Sequence, residues 1–264
     1  MKKVGFIGAG NMGSALARAA VKSGASVYIY DKDTKKAELL ASELSANTAS
    51  NTAIAAECDY IFLAVKPNII PIAMREIEGE FKKNKNATLV SMAAGISIEQ
   101  IADPEKNYPI IRIMPNTPAA VGEGLILWCK NTQVSEEALG GFLDVMAPAG
   151  ILEEIEETKI DAASAISGCG PAFAYMFVEA LADGGVECGL PRNVAQKLAA
   201  QTILGAAKMV LESGKHPGEL KDAVCSPGGS TIAGVAALEE GAFRASAASA
   251  VKAAYAKTLK LGKQ

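Results

Sequence analysis

Two patterns of apolar spacing divide the chain. Over roughly the first 155 residues, short unbroken apolar runs alternate with amphipathic stretches. The runs are Val4-Gly5-Phe6-Ile7, Ser26-Val27-Tyr28-Ile29-Tyr30, 59–65, Thr88-Leu89-Val90-Ser91, 109–114, 124–129 and 150–155; all read as strands, the first and 59–65 as buried ones. Helical patterns open at Ser14 and at about Thr34, occupy 53–57, and fill 135–147, where Val134-Ser135-Glu136-Glu137 has the form of a helix start. Such alternation predicts an α/β domain of about six to eight strands. From Asp161 onward no strand-like run recurs. Helices are predicted at 158–167, 171–187, 191–213, 217–225, 230–240 and 243–261, with breaks at Gly-Pro, Leu-Pro, His-Pro and Pro-Gly-Gly. The expected domains are 1–157 and 158–264.

The first strand runs into Gly8-Ala9-Gly10-Asn11-Met12-Gly13, and a helix opens directly after it. In a βαβ unit of this form the first glycine permits the tight turn and the second admits a pyrophosphate to the backbone. The third lets helix and strand lie close, and the helix N-terminus faces the phosphates. Asp31 ends the second strand about eighteen residues past Gly13, where an acidic residue meets the adenosine ribose hydroxyls and disfavours a 2′-phosphate. Lys32, Lys35 and Lys36 follow and would hold such a phosphate, so NADH and NADPH both remain open; a solvated Asp-Lys-Asp turn before the next helix explains the same residues. Strand ends line the ligand crevice of a parallel sheet. Ala64, Val65, Lys66 and Pro67 should therefore border the nicotinamide half, with Met92-Ala93-Ala94-Gly95 close by and Pro115-Asn116-Thr117-Pro118 on the same edge.

Composition narrows the class. Half of the 264 residues are apolar, 5% are aromatic, and the net charge is −3 with both signs interspersed, so no basic face for nucleic acid is expected. The N-terminus lacks the regions of a signal peptide, and no stretch reaches membrane-spanning length on this reading. Five cysteines without ligand spacing are expected as reduced thiols of a cytoplasmic protein, with no metal site; the one histidine, His216, is assigned to the turn before the helix at 217.

Several second-half helices are Ala-rich and apolar on more than one face, as at 198–209 and 242–256. A helical lobe of about 100 residues covers such faces poorly by itself, which predicts an obligate dimer as the minimum. A monomer whose helices fold back on the sheet is the alternative. Ser167-Gly168-Cys169-Gly170-Pro171 reads as a tight inter-helix turn. Cys225-Ser226-Pro227-Gly228-Gly229-Ser230-Thr231 is a hydroxyl-rich, glycine-rich helix start suited to a carboxylate. An ordinary Ser/Thr cap is the simpler reading, although two consecutive glycines exceed what a cap needs.

These motifs carry a resemblance. The opening Val4-Gly5-Phe6-Ile7-Gly8-Ala9-Gly10-Asn11-Met12, with Ala64-Val65-Lys66-Pro67, Ser91-Met92-Ala93-Ala94-Gly95 and Ile113-Met114-Pro115-Asn116-Thr117-Pro118, resembles the pyrroline-5-carboxylate reductase family. Ser226-Pro227-Gly228-Gly229-Ser230-Thr231-Ile232-Ala233-Gly234 resembles its C-terminal signature, with Ser167-Gly168-Cys169-Gly170-Pro171-Ala172 and His216-Pro217-Gly218 upstream. The resemblance spans the chain. It implies NAD(P)H-dependent reduction of L-1-pyrroline-5-carboxylate to L-proline, the last step of proline synthesis. It also implies a Rossmann-type, mostly parallel sheet followed by an all-α dimerisation domain that interlocks two subunits, with dimers able to assemble further.

By position the resemblance places Asn51, Ala64, Val65, Lys66, Pro67, Met92 and Ala94 on the cofactor. It places Ser226, Ser230 and Thr231, with the Gly228-Gly229 turn, on the substrate and Glu157 near it. Ala223 stands where some members carry Asn, and Asp31-Lys32 where NADPH-preferring members often carry small hydroxyl residues. The expected chemistry is placement of a protonated cyclic imine before the hydride donor, with Thr231 serving the ring nitrogen. Glu157 would either stabilise the iminium charge or be a plain surface glutamate. A β-hydroxyacid dehydrogenase would need a lysine on the helix beginning Pro171-Ala172-Phe173-Ala174-Tyr175-Met176-Phe177-Val178, which has none. A non-catalytic NAD(P)-binding regulator would need no second anion-binding helix start. Oxidation of NADPH on adding pyrroline-5-carboxylate separates all three.

Overall fold

The computed structural model describes residues 1–101 and 106–261. The chain divides into two compact units, Met1–Cys169 with the C-terminal end from Ala254, and Gly170–Ala253.

The first unit is built on one eight-stranded sheet in the order β3-β2-β1-β4-β5-β6-β7-β8. The strands are β1 (Lys3–Ile7), β2 (Ser26–Tyr30), β3 (Asn47–Thr48), β4 (Tyr60–Leu63), β5 (Thr88–Ser91), β6 (Ile110–Met114), β7 (Gly124–Lys130) and β8 (Gly150–Glu154). All neighbours pair in parallel except β6 and β7, where Arg112 lies opposite Cys129 in an antiparallel register. The core lies on both faces, which is why the central strands β4, β5 and β6 are buried along their whole length. Val4, Phe6, Tyr60, Phe62 and Val90 point to one face, under α1 (Asn11–Lys22) and α6 (Glu136–Met146), with Phe6 and Phe62 stacked at 4.5 Å. Ile7, Ile61, Leu63 and Leu89 point to the other, under α3 (Asn51–Glu57) and α4 (Ile70–Phe81). Helix α2 (Thr34–Leu44) follows β2, and a single turn, α5 (Ile98–Ile101), follows β5.

Helix starts are explained locally. Ser135 caps α6 through its Oγ, which accepts from Ala138 N at 3.1 Å, as the sequence predicts. Helix α4 fills a stretch to which the sequence reading assigns no element. Its buried Ile70, Ala73, Met74, Ile77 and Phe81 follow helical spacing, with Pro in the first turn. The two-residue strand β3 is likewise additional.

The all-α region holds α7 (Ile160–Ser167), α8 (Gly170–Glu187), α9 (Arg192–Ser213), α10 (Pro217–Ala223), α11 (Ser230–Glu240) and α12 (Phe243–Leu261). These agree with the expected helices within one or two residues at each end. Helix α7 belongs with the sheet, because the fully buried Ile160 packs with Met114, Leu127 and Cys129. The compact units part between Cys169 and Gly170. The helical run Glu157–Glu187 is long and apolar enough, by length and composition alone, to cross a membrane. That corrects the expectation that no stretch reaches such length. The run escapes a sequence scan because the Gly168–Pro171 break hides two abutting helices as separate short ones.

Within Gly170–Ala253, the buried apolar side chains among the described residues are Ala182, Ala195 and Ala199. Leu198, Leu204, Met209 and Leu211 on α9 all remain more than half exposed, from 53% to 71%.

Candidate active site

The turn after β1 is shaped by contact with its neighbour strand. Gly8 has φ +115°, and a Cβ there would lie 2.3 Å from the Ala64 carbonyl oxygen at the end of β4. A Cβ on Gly13 would lie 2.4 Å from the Gly8 oxygen, so α1 could not approach the strand with any larger residue. Gly10 differs: a Cβ there meets nothing within 4 Å. Gly8 and Gly13 thus serve the fold, and Gly10 leaves open space in front of the helix. Gly10 is also the N-cap of α1, with no side-chain cap and no acidic residue in the first turn. The amides of Asn11, Met12 and Gly13 at the positive end of the helix are left for an anion.

Asp31 closes the other side of this turn. One carboxylate oxygen accepts from Ala9 N at 2.8 Å and the other from Asp33 N at 2.9 Å. A carboxylate offers roughly four acceptor positions, so this anchoring leaves room for ribose hydroxyls. The tie from Asp31 back to the glycine turn was not foreseen from sequence. Asp31 also lines a cavity of about 240 Å³ with Tyr30, Thr34, Ala37, Glu38, Thr48, Ala49 and Ser50. Lys32 is exposed beside it.

On the far side of β1, β4 ends at Leu63, and Ala64 and Val65 are half-buried while Lys66 and Pro67 are exposed. Asn51, at the start of α3, is 7% exposed; its Nδ2 donates to Glu76 at 2.6 Å and its Oδ1 is buried without a partner. Beyond β4, the loop after β5 carries the half-buried Met92 and the exposed Ala94, with Gly95 at φ +72°. Open space at Gly10, uncapped amides beside it, an acidic residue at the β2 end and an orphaned acceptor at Asn51 fit a dinucleotide laid across the ends of β2, β1, β4 and β5.

Glu157 is not free. Its Oε1 accepts from Ile98 N at 2.7 Å and lies 3.3 Å from Nη1 of Arg112. Arg112 is 3% exposed, and its Nη2 reaches Asp161 at 3.1 Å. Nothing in the sequence pairs these residues, which stand 45 and 49 positions apart.

In the second unit, the turn before α11 excludes one of the two readings of its sequence. The N-cap is Gly229, with no side-chain cap, so the simple Ser/Thr cap is not what forms. Gly228 has φ +69°, and a Cβ on Gly229 would fall 2.5 Å from Ser226 Oγ. Ser226, Ser230 and Thr231 are exposed around the uncapped helix start. His216 behaves as predicted: it caps α10, its Nδ1 accepting from Gly218 N at 3.0 Å.

The chain matches two family models. The "Pyrroline-5-carboxylate reductase dimerisation" family covers residues 157–261, and "NADP oxidoreductase coenzyme F420-dependent" covers residues 3–95. The pyrroline-5-carboxylate reductase of Escherichia coli is 41% identical over 99% of both chains. Among solved structures, a Plasmodium falciparum pyrroline carboxylate reductase with NADP bound is 35% identical with a TM-score of 0.86, covering 99% of this chain and 98% of that one. A Coxiella burnetii pyrroline-5-carboxylate reductase is 28% identical with a TM-score of 0.89, covering 98% of both. The order of the two matched families along the chain follows the order of the sheet and the helices. This chain belongs to the pyrroline-5-carboxylate reductase family.

Proposed function

We infer that the chain is an NAD(P)H-dependent oxidoreductase that reduces the C=N bond of L-1-pyrroline-5-carboxylate to give L-proline, closing a proline biosynthetic route. The observation that carries this reading is full-length similarity to reductases of that name, together with two uncapped, glycine-preceded helix starts in one chain. When bound, the nicotinamide supplies the hydride. The turn Gly8, Gly10, Asn11, Met12 and Gly13 would seat the pyrophosphate, Gly8 and Gly13 by shaping it and Gly10 by leaving room; Asp31 and Lys32 would meet the adenosine ribose, and Asn51, Ala64, Val65, Lys66, Pro67, Met92 and Ala94 would border the rest of the cofactor. Both NADPH and NADH fit this arrangement.

The free amides of Ser230 and Thr231 at the start of α11, presented by the Gly228-Gly229 turn, with the hydroxyls of Ser226 and Ser230, hold the substrate carboxylate and fix which ring face is presented. A protonated cyclic imine accepts hydride at carbon without further acid, so placement dominates the rate. The Thr231 hydroxyl oxygen accepts from the protonated ring nitrogen and keeps that proton in place. The apolar faces of α8, α9, α11 and α12 close against a second copy of the chain, giving a cytoplasmic homodimer or a larger assembly of dimers. The apolar run Glu157–Glu187 lies in the region matched by the dimerisation family, which explains its character without a membrane.

Steady oxidation of NADPH or NADH on adding L-1-pyrroline-5-carboxylate, with L-proline as product, tests the activity, and parallel kinetics rank the two cofactors. Thr231→Ala is expected to lower kcat/KM by about a hundredfold. Wild-type kcat/KM in that variant would remove Thr231 from the proton chemistry.

A further inference from the structure

We propose that Glu157 is a positioning residue for the dinucleotide: held by the buried Arg112, its carboxylate fixes the start of α5 and with it the loop 92–97. The proposal rests on the dinucleotide reading of the glycine turn and not on the identity of the imine substrate.

The argument begins at the sheet. In the order β2-β1-β4-β5, a dinucleotide with its adenosine at the end of β2 and its pyrophosphate at the β1 turn reaches the end of β5 with its nicotinamide half. The loop leaving β5 therefore needs a fixed shape, yet it consists of Met92-Ala93-Ala94-Gly95-Ile96-Ser97, with few side chains able to lock it. Its near end is tied by Ala93 N, which donates to Ser91 Oγ at 3.4 Å. Its far end is the first turn of α5, where Ser97 and Gln100 form a reciprocal capping box. Gln100 N donates to Ser97 Oγ at 3.3 Å, and Ser97 N donates to Gln100 Oε1 at 2.9 Å. That box leaves the amide of Ile98, and Glu157 takes it at 2.7 Å.

Glu157 holds that place because Arg112 holds Glu157. A guanidinium with 4% of its side chain exposed must be paired to be tolerated. Its partners are Glu157, ahead of α7, and Asp161, within α7. The buried arginine thus orients one carboxylate oxygen that serves both itself and the α5 amide. A group acting as an iminium partner would instead face the substrate with no such duty.

Three variants test the arrangement through dinucleotide affinity, measured by fluorescence titration with NADPH and NADH in the absence of any imine. Glu157→Ala is expected to raise Kd about tenfold, because the Ile98 amide loses its partner. Glu157→Gln, whose amide oxygen still accepts from Ile98 N, should recover most of that affinity. Ile98→Pro deletes the donor while leaving the Arg112 pair intact, and proline is tolerated at the first helical position. It should weaken binding like Glu157→Ala, and it decides the matter if Glu157→Ala proves unable to fold. In steady state the loss should fall on KM for the dinucleotide more than on kcat, with the pH profile of kcat/KM unmoved. Kd within twofold of wild type in both Glu157→Ala and Ile98→Pro would overturn the proposal. So would a loss of kcat of about a hundredfold in Glu157→Gln at unchanged Kd, which would make the charge a substrate contact. A protein that binds NADPH as described but fails to reduce pyrroline-5-carboxylate would sink the functional reading and leave this one standing.

Discussion

At the scale of single residues, the glycines of the first turn separate into two kinds. Gly8 and Gly13 are packed against backbone, and Gly8 also holds a φ that side chains rarely adopt. Gly8→Ala combines backbone strain with a clash against the Ala64 carbonyl, and is expected to cost about 3 kcal/mol or more of stability. Gly10→Ala meets no protein atom. It should fold and melt as wild type while losing about tenfold or more in dinucleotide affinity, which is about 1.4 kcal/mol. Thermal melts and NADPH titrations of the two variants check both halves, and a Gly10→Ala protein that binds NADPH normally would move the phosphate elsewhere. Asp31 shows where sequence reasoning stops. Its position after β2 was legible from spacing, but its bond to Ala9 N depends on how β1 and β2 end side by side in space.

At the scale of elements, regular strands and long helices followed from apolar spacing, because burial on two faces or on several sides leaves a direct trace in composition. Helix α4 is equally written in the chain at Ile70, Ala73, Met74 and Ile77. The antiparallel β7 was not legible, since a strand buried in the sheet reads alike in either direction. Helix α4 also carries a titration prediction. Hydrogen bonds from Lys106 and then Tyr108 hold the Glu78 carboxyl down at about 2. A depressed carboxyl stabilises the fold above its unfolded value, and that contribution is lost as pH falls from about 4.5 to about 2. Glu78→Gln is therefore expected to destabilise the protein by about 1 kcal/mol at neutral pH, a figure trimmed by solvent around this partly exposed side chain. The difference from wild type should shrink to nothing near pH 2, as denaturant melts across that range would show. A penalty that is flat with pH would mean the Glu78 contacts matter as packing, not as charge.

At the scale of the whole molecule, the sheet unit is self-sufficient and the segment Gly170–Ala253 is not. Its interior consists of three alanines, while Leu198, Leu204, Met209 and Leu211 face outward. Alanine burial of that size cannot offset the entropy of ordering the segment. The proposed second copy supplies the missing surface. Wild-type protein is expected to sediment as a dimer or larger species at micromolar concentration. Leu204→Glu should shift it toward monomer and lower its melting temperature in a concentration-dependent way. Sedimentation of the wild type as a monomer at that concentration would return the helices to the alternative of folding back on their own sheet.

The thin alanine interior of Gly170–Ala253 also bears on the order of events when the chain first folds. The sheet can form within one chain, whereas in the proposed dimer the helices gain their packing at an encounter between two. Refolding should then show a rapid phase independent of protein concentration, read by Trp128 in the sheet, and a slower phase whose rate rises with concentration, read by recovery of activity. Between the two phases the half-finished chain presents a long apolar surface. Its yield is a race between finding a correct partner and aggregating.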